Sequence, residues 1–188
     1  MNRQRLIFGL GSGRCGTTSL AHLFNIQINT FCTHERYIKS KFKMPFEPIE
    51  SEKETFVRSL FEMTNWNIPV VGDIAYYWLH YVPWVMAYIE DPIFVCLKRT
   101  KEKTIESFIN AKPRSEFFES IKDKLNEYYD DYYEVAENYV KHYPEQFKIF
   151  PITDLNDMNG QMDILNFCGY KEDKQYQLPL KLNVLNSV

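Results

Sequence analysis

A glycine-rich segment near the start of the chain constrains its fold more than any other feature. It reads FGLGSGRCGTTSLAHLF over residues 8–24 and follows the apolar stretch RLIFGLG. The apolar stretch predicts a buried strand, the glycines a tight loop, and the spacing of the later leucines a helix. Such a loop aims its backbone N–H groups, together with the positive end of the helix dipole, at one point. The segment therefore predicts a site for a phosphate or a sulfate.

The side chains of this loop add charge and hydroxyl donors to the backbone groups. Arg14 supplies a positive charge inside the loop, and Thr17 and Thr18 supply hydroxyls in the first helical turn. These are poor choices for packing a ligand-free turn, so we expect the loop to hold an anion. The candidate binding residues are Gly11, Ser12, Gly13, Arg14, Cys15, Gly16, Thr17, Thr18 and Ser19.

Two nucleotide-binding patterns fit the loop in part. Gly11 and Gly16 match the glycines of the ATP-binding pattern GxxxxGK[ST], but Thr17 stands where the lysine is required. The dinucleotide pattern GxGxxG also matches, and Glu35 lies near the distance at which an acidic residue would hold a ribose. Spacing alone leaves both alternatives open.

The rest of the chain alternates predicted strands with predicted helices. Further strands are predicted at 29–35, 68–75, 92–99 and 147–152, and helices at 17–26, 51–66, 76–90, 100–111, 115–142 and 157–170. This alternation predicts an α/β three-layer sandwich, with a central parallel sheet of about five strands, helices on both faces and P-loop NTPase-like topology. We expect one domain over 1–188. Ligands of such folds bind at the carboxyl ends of the strands.

Composition narrows the range of partners and metals. The net charge of -3 and the pI near 5.8 argue against a nucleic-acid binder. The four cysteines show no zinc-ligand spacing, so we expect reduced thiols, no metal and a cytoplasmic protein. No stretch approaches the roughly 20 apolar residues of a membrane span.

The motifs resemble those of sulfotransferases that use 3'-phosphoadenosine-5'-phosphosulfate (PAPS). GSGRCGTTSL is similar to the 5'-phosphosulfate loop of that family, with Cys15 in place of its usual serine. FVCLKRTKEKTIESF is similar to its 3'-phosphate motif, a strand that ends in Arg99 followed by Ser107 on a helix, although Arg99-Thr100-Lys101 replaces the usual Arg-Asp-Pro. The late segment at 147–170 also resembles the family, so the resemblance covers almost the whole chain.

The resemblance implies a reaction and roles for these residues. PAPS would be the sulfuryl donor, adenosine 3',5'-bisphosphate the product, and no metal would be needed. Arg14 would stabilise charge on the bridging oxygen, while the hydroxyls of Thr17 and Thr18 and the amides of Gly13, Gly16 and Thr17 would hold the 5'-phosphate. Arg99 and Ser107 would hold the 3'-phosphate.

A general base should accept the proton of the acceptor hydroxyl. Glu35 is the first candidate because it ends a predicted strand and because some sulfotransferases place a glutamate in a similar position. His34 is the rival, since a neutral imidazole is a good base at pH 7. Asp73, at the end of the third strand, is the third candidate. The acceptor is expected to be a carbohydrate or another small hydroxyl compound.

Two other classes of function stay open at this point. A P-loop kinase for a small substrate would use Asp73 to hold Mg²⁺, and a non-catalytic nucleotide-binding module would keep the fold without a base. The tyrosines Tyr128, Tyr132, Tyr139 and Tyr143 fall at helical spacing. They predict a stripe that faces the core.

Overall fold

The computed structural model of the chain describes residues 4–36, 62–63, 67–171 and 175–179. The predicted helix at 51–66 lies outside these residues except for 62–63, which are helical. The described residues form five strands: β1 Arg5–Leu10, β2 Thr30–His34, β3 Val70–Ile74, β4 Ile93–Lys98 and β5 Phe147–Pro151. The helices are α1 Thr17–Asn25, α2 Trp78–Tyr88, α3 Lys101–Ile109, α4 Ser115–Ser120, α5 Lys122–His142 and α6 Met158–Phe167. A 3-10 turn, Ile152–Asn156, links β5 to α6.

The strands form one parallel sheet in the order β2-β3-β1-β4-β5. Each of the four strand pairs is parallel, so all five carboxyl ends lie at one edge. The central strand is β1, which pairs with β3 on one side and with β4 on the other. The loop after β1 therefore lies between the ends of β3 and β4.

Alternation along β1 builds a core on each face of the sheet. Phe8 packs with residues of α2 and α5, including Trp78 and Tyr132, whereas Ile7 packs with residues of α1 and α6, including Leu20 and Ile164. Successive strand side chains point to opposite faces, so a run that is apolar at every position serves both. The structure thus confirms the predicted three-layer α/β sandwich with a parallel five-stranded sheet.

The helical stretch at 115–142, for which the sequence leaves open a break, consists of two helices, α4 and α5. Along α5 the fully buried positions include Leu125, Tyr129, Tyr132 and Ala136, which recur every three or four residues as one helix face must. Tyr128, from the predicted stripe, is packed at the margin of this core. In the part of the chain that the structure describes, no helix is both long enough and apolar enough to cross a membrane.

Candidate functional site

The loop between β1 and α1 has a backbone that requires its glycines. Gly11, Gly13 and Gly16 have φ values of 154°, 82° and 92°, and Arg14 also has a positive φ, of 56°. A Cβ built on Gly11 would lie 2.2 Å from Cys15 Sγ. The loop therefore turns back on itself more tightly than side chains allow, as the sequence predicts.

The first turn of α1 presents its N–H groups at this loop. Gly16 is the N-cap in a left-handed conformation and makes no side-chain cap hydrogen bond, and the turn contains no acidic residue. The N–H groups that open a helix have no partner within the helix, and its dipole is positive at that end. Thr17, Thr18 and Ser19 thus begin a helix whose start suits an anion.

The two cationic motifs of the sequence lie together at this edge of the sheet. Arg99 Nη1 donates a hydrogen bond to the carbonyl oxygen of Arg14 at 3.1 Å. Arg14 Nε donates to Ser107 Oγ, also at 3.1 Å. The structure thus brings together residues from the β1–α1 loop, the end of β4 and the second half of α3.

The guanidinium groups of Arg14 and Arg99 have no acidic partner among the described residues, whereas lysines nearby do. Two of these lysines form salt bridges with acidic residues of α5: Lys98 with Glu137 at 2.7 Å and Lys101 with Asp130 at 2.6 Å. Arg14 is exposed and Arg99 is half-buried. The two guanidinium groups are adjacent, and the hydrogen bonds described above go to neutral oxygens. A phosphate or sulfate bound beside them would be stabilised, because the planar N–H forks of arginine bind these anions well.

The end of β2 reaches the same loop. His34 Nε2 lies 3.1 Å from Thr17 Oγ1, so the imidazole contacts the first residue of α1. Glu35 follows with a φ of 51°, and its N–H donates to the carbonyl oxygen of Ile74 at 3.0 Å. Its side chain is exposed and makes no hydrogen bond or ion pair with a described residue. Both base candidates therefore lie beside the start of α1, and of these two side chains Glu35 is the one without a polar partner among the described residues.

The contacts of Asp73 do not fit the catalytic role that the sequence predicts for it. Its side chain is fully buried. Its Oδ1 accepts from Thr33 Oγ1 at 2.6 Å and from the Arg36 N–H at 3.4 Å, and its Oδ2 accepts from the Tyr77 hydroxyl at 2.6 Å and Trp78 Nε1 at 2.9 Å. These four donors use the lone-pair sites of a carboxylate. Asp73 therefore joins β2 to the start of α2 and has no oxygen left for a substrate proton or for Mg²⁺.

The first half of the loop also differs from the prediction. The Gly11 N–H donates to the Tyr132 hydroxyl at 2.9 Å, and the Gly13 N–H donates to the Gly11 carbonyl oxygen at 2.8 Å. Ser12 is fully buried, and its Oγ lies 3.3 Å from the Tyr133 hydroxyl. These amides and this hydroxyl are used within the protein, so the groups of the loop that remain candidates for an anion begin at Arg14.

Cys15 points inward beneath the loop. Burial raises the pKa of its thiol to about 12, although the Gly13 and Cys15 amides, the Tyr133 hydroxyl and the Arg99 charge oppose the shift. The thiol is therefore protonated and unreactive at neutral pH. Cys15 fills the space beside Gly11 as a small apolar side chain, and only its backbone remains as a candidate ligand contact.

Sequence reasoning missed the tyrosines that support the site. Tyr129 and Tyr133 donate to the carbonyl oxygens of Arg99 and Leu97, at 2.5 and 2.7 Å. A signal for them exists in NEYYDDYYEV, where two adjacent tyrosine pairs recur one helical turn apart. Among the described residues, no three His, Cys, Asp or Glu side chains are grouped as metal ligands would be.

Comparison with known proteins supports the fold. A crystal structure of shikimate kinase from Bacteroides thetaiotaomicron is similar, with a TM-score of 0.50, 16% sequence identity, and coverage of 86% of this chain and 94% of that chain. Comparisons with protein-family models and with curated proteins give no match. At this identity the likeness concerns the fold alone, and it agrees with the sheet described above. The chain is thus an α/β protein with a P-loop NTPase-like fold.

Proposed function

We propose that the protein is a sulfotransferase that moves a sulfuryl group from PAPS to a hydroxyl of a small acceptor. The observation that carries the proposal is the contact of Arg14 with both Arg99 and Ser107. PAPS carries anionic groups at two ends, and these residues supply two cations and a hydroxyl around one loop. Neither cation is neutralised by a described carboxylate.

Each end of the donor has a separate set of partners in this proposal. The 5'-phosphosulfate would contact Arg14, the amides from Gly16 onward and the Thr18 hydroxyl, at the uncapped start of α1. The 3'-phosphate would contact Arg99 and Ser107. Charge-assisted hydrogen bonds of this kind contribute about 1.5–3 kcal/mol each, so both ends would add substantially to affinity.

The reaction itself needs little covalent help from the protein. The acceptor oxygen forms a bond to sulfur, the bond from sulfur to the bridging phosphate oxygen breaks, and adenosine 3',5'-bisphosphate leaves. Arg14 stabilises the charge that develops on that bridging oxygen. Glu35 takes the proton of the acceptor hydroxyl, since its carboxylate has no partner among the described residues and lies at the same edge of the sheet. His34 orients Thr17 at the start of α1.

A small-molecule kinase is the second candidate, and the likeness to shikimate kinase favours it. A kinase with this fold holds its nucleotide phosphates with a lysine after the last loop glycine, where this chain has Thr17. Asp73, the predicted Mg²⁺ ligand of that alternative, has its oxygens occupied by four donors. Both facts favour the sulfotransferase.

A thermal-shift comparison of two nucleotides tests the proposal. At a concentration near 100 times its Kd, adenosine 3',5'-bisphosphate should stabilise the protein by about 2.7 kcal/mol, which raises the Tm by roughly 5–10 °C. ATP with Mg²⁺ at the same concentration should shift the Tm by less than a third of that. A larger shift with ATP and Mg²⁺ would identify a kinase, and equal shifts would contradict recognition of the 3'-phosphate.

A further inference from the structure

We infer that the hydroxyl groups of Tyr129, Tyr132 and Tyr133, here called the tyrosine brace, position the phosphate loop and Arg99 relative to each other. The brace deepens the proposed function, on which its ligand rests: it would set the spacing at which the two phosphate-bearing ends of the nucleotide are held. These tyrosines are positioning residues, because they act through the loop and through Arg99.

The three tyrosines form one rigid unit on α5. Tyr132 and Tyr133 follow Tyr129 by three and four residues, so they lie one helical turn from it on the buried face, and all three are at most 6% exposed. The ring centroids of Tyr129 and Tyr133 are 4.6 Å apart, and those of Tyr132 and Tyr133 are 5.3 Å apart. A helix packed by its rings against the sheet can hold hydroxyl groups in fixed places.

Tyr132 supports the start of the loop. Its hydroxyl accepts from the Gly11 N–H at 2.9 Å and donates to the Tyr76 carbonyl oxygen at 3.0 Å. The Gly11 N–H, which would otherwise be buried without a partner, is thereby satisfied and fixed in direction. Tyr132 thus links the loop to the segment that leads into α2.

Tyr133 links the loop to β4. Its hydroxyl donates to the Leu97 carbonyl oxygen at 2.7 Å and lies 3.3 Å from Ser12 Oγ. It is also within 3.5 Å of the Ser12 backbone nitrogen. One hydroxyl therefore contacts both the loop after β1 and the strand that leads to Arg99.

Tyr129 acts on Arg99 itself. Its hydroxyl donates to the Arg99 carbonyl oxygen at 2.5 Å, while the guanidinium of Arg99 reaches the Arg14 carbonyl oxygen. Burial raises the pKa of Tyr129 to about 12 and also raises the pKa values of Tyr132 and Tyr133, so the three hydroxyls keep their protons at neutral pH. The Tyr129 hydrogen bond thus connects the backbone of Arg99 to α5, the helix whose tyrosines also contact the loop.

Single Tyr→Phe variants remove one hydroxyl each and keep the rings. Tyr139→Phe is the matched control on the same helix, because the Tyr139 ring packs against Phe147 while its hydroxyl makes no hydrogen bond with a described residue. Far-UV circular dichroism and Tm establish that each variant is folded. Since the Tyr129 and Tyr133 hydroxyls act at different carbonyl groups, the three variants test the brace separately.

The first measurement needs no ligand. Amide hydrogen exchange followed by NMR should show the Gly11 amide exchanging at least about tenfold faster in Tyr132→Phe than in wild type, because its acceptor is lost. Tyr139→Phe should leave that rate unchanged. Equal Gly11 exchange in wild type, Tyr132→Phe and Tyr139→Phe would overturn the brace, whatever the protein binds.

The second measurement uses nucleotide affinity by calorimetric titration. Tyr129→Phe should lower the affinity for adenosine 3',5'-bisphosphate by about five- to tenfold and the affinity for AMP by less than twofold. The reason is that Arg99 contacts only the 3'-phosphate in this proposal. Tyr132→Phe and Tyr133→Phe should lower the affinity for both nucleotides. Wild-type affinities in all three variants would overturn the positioning role. If wild type binds neither nucleotide, the proposed function fails and the Gly11 exchange rate alone decides the brace.

Discussion

Replacement of Asp73 by alanine is expected to lower the free energy of unfolding by about 3–5 kcal/mol, because it removes a buried carboxylate that accepts four hydrogen bonds. The Tyr77 hydroxyl and Trp78 Nε1 lose this acceptor at the start of α2, and Thr33 Oγ1 on β2 keeps only its longer contact, 3.4 Å, to the Gly72 carbonyl oxygen. In a protein of this size the Tm should fall by roughly 6–20 °C. Chemical denaturation followed by circular dichroism measures the change.

Asp73→Asn separates charge from volume in this prediction. The amide keeps the size of the side chain but presents N–H groups to the two donors that face one of the carboxylate oxygens. We therefore expect a loss of stability smaller than that of Asp73→Ala. Asp131→Ala is the matched control, since Asp131 is exposed on α5, and it should change stability by less than about 0.5 kcal/mol. An Asp73→Ala variant within 1 kcal/mol of wild type would contradict the structural role assigned here.

Replacement of Glu35 by glutamine is expected to lower turnover by a factor of about 10²–10⁴, which is the usual contribution of a general base. The Glu35 backbone is fixed by its N–H bond to Ile74, so the substitution changes the proton acceptor and leaves the chain path intact. The affinity for adenosine 3',5'-bisphosphate should stay within about twofold of wild type. Initial rates of transfer from radiolabelled PAPS to simple alcohols and monosaccharides measure the effect.

His34→Gln is the companion variant for this measurement. Because His34 contacts Thr17 in the loop, we expect it to weaken nucleotide binding more than it slows turnover at saturating donor. The opposite pattern, with turnover lost in His34→Gln and kept in Glu35→Gln, would make the imidazole the base. A wild-type protein that binds the nucleotide but transfers no sulfuryl group to any of these acceptors would indicate a binding module.

The sequence predicts correctly the fold and the proximity of the two cationic motifs. The glycines of the β1–α1 loop are required by local backbone geometry, and local geometry is what a sequence pattern reports. The joining of Arg14, Arg99 and Ser107 follows from the rule that parallel strands put their carboxyl ends at one edge. Neither inference needs knowledge of side-chain packing.

The roles of Asp73 and of the tyrosines depend on packing and could not be read in the same way. Asp73 ends a strand as a base would, and only its burial against Tyr77 and Trp78 shows that its oxygens are used. On α5, adjacent tyrosines leave the rotation of the helix ambiguous by one residue. Periodicity therefore predicts core positions for Tyr128 and Tyr129 almost equally. In the structure Tyr129 is buried in the core and Tyr128 packs against it partly buried.

The most direct test of the two-ended nucleotide site compares adenosine 3',5'-bisphosphate with AMP in calorimetric titrations of the wild-type protein. The account predicts that the 3'-phosphate tightens binding by about 2 kcal/mol, or roughly 30-fold, through Arg99 and Ser107. Arg99→Ala should remove this difference in affinity. Lys101 is the control, because its ammonium is paired with Asp130, and Lys101→Ala should preserve the difference. Equal affinities of the wild-type protein for the two nucleotides would contradict the account.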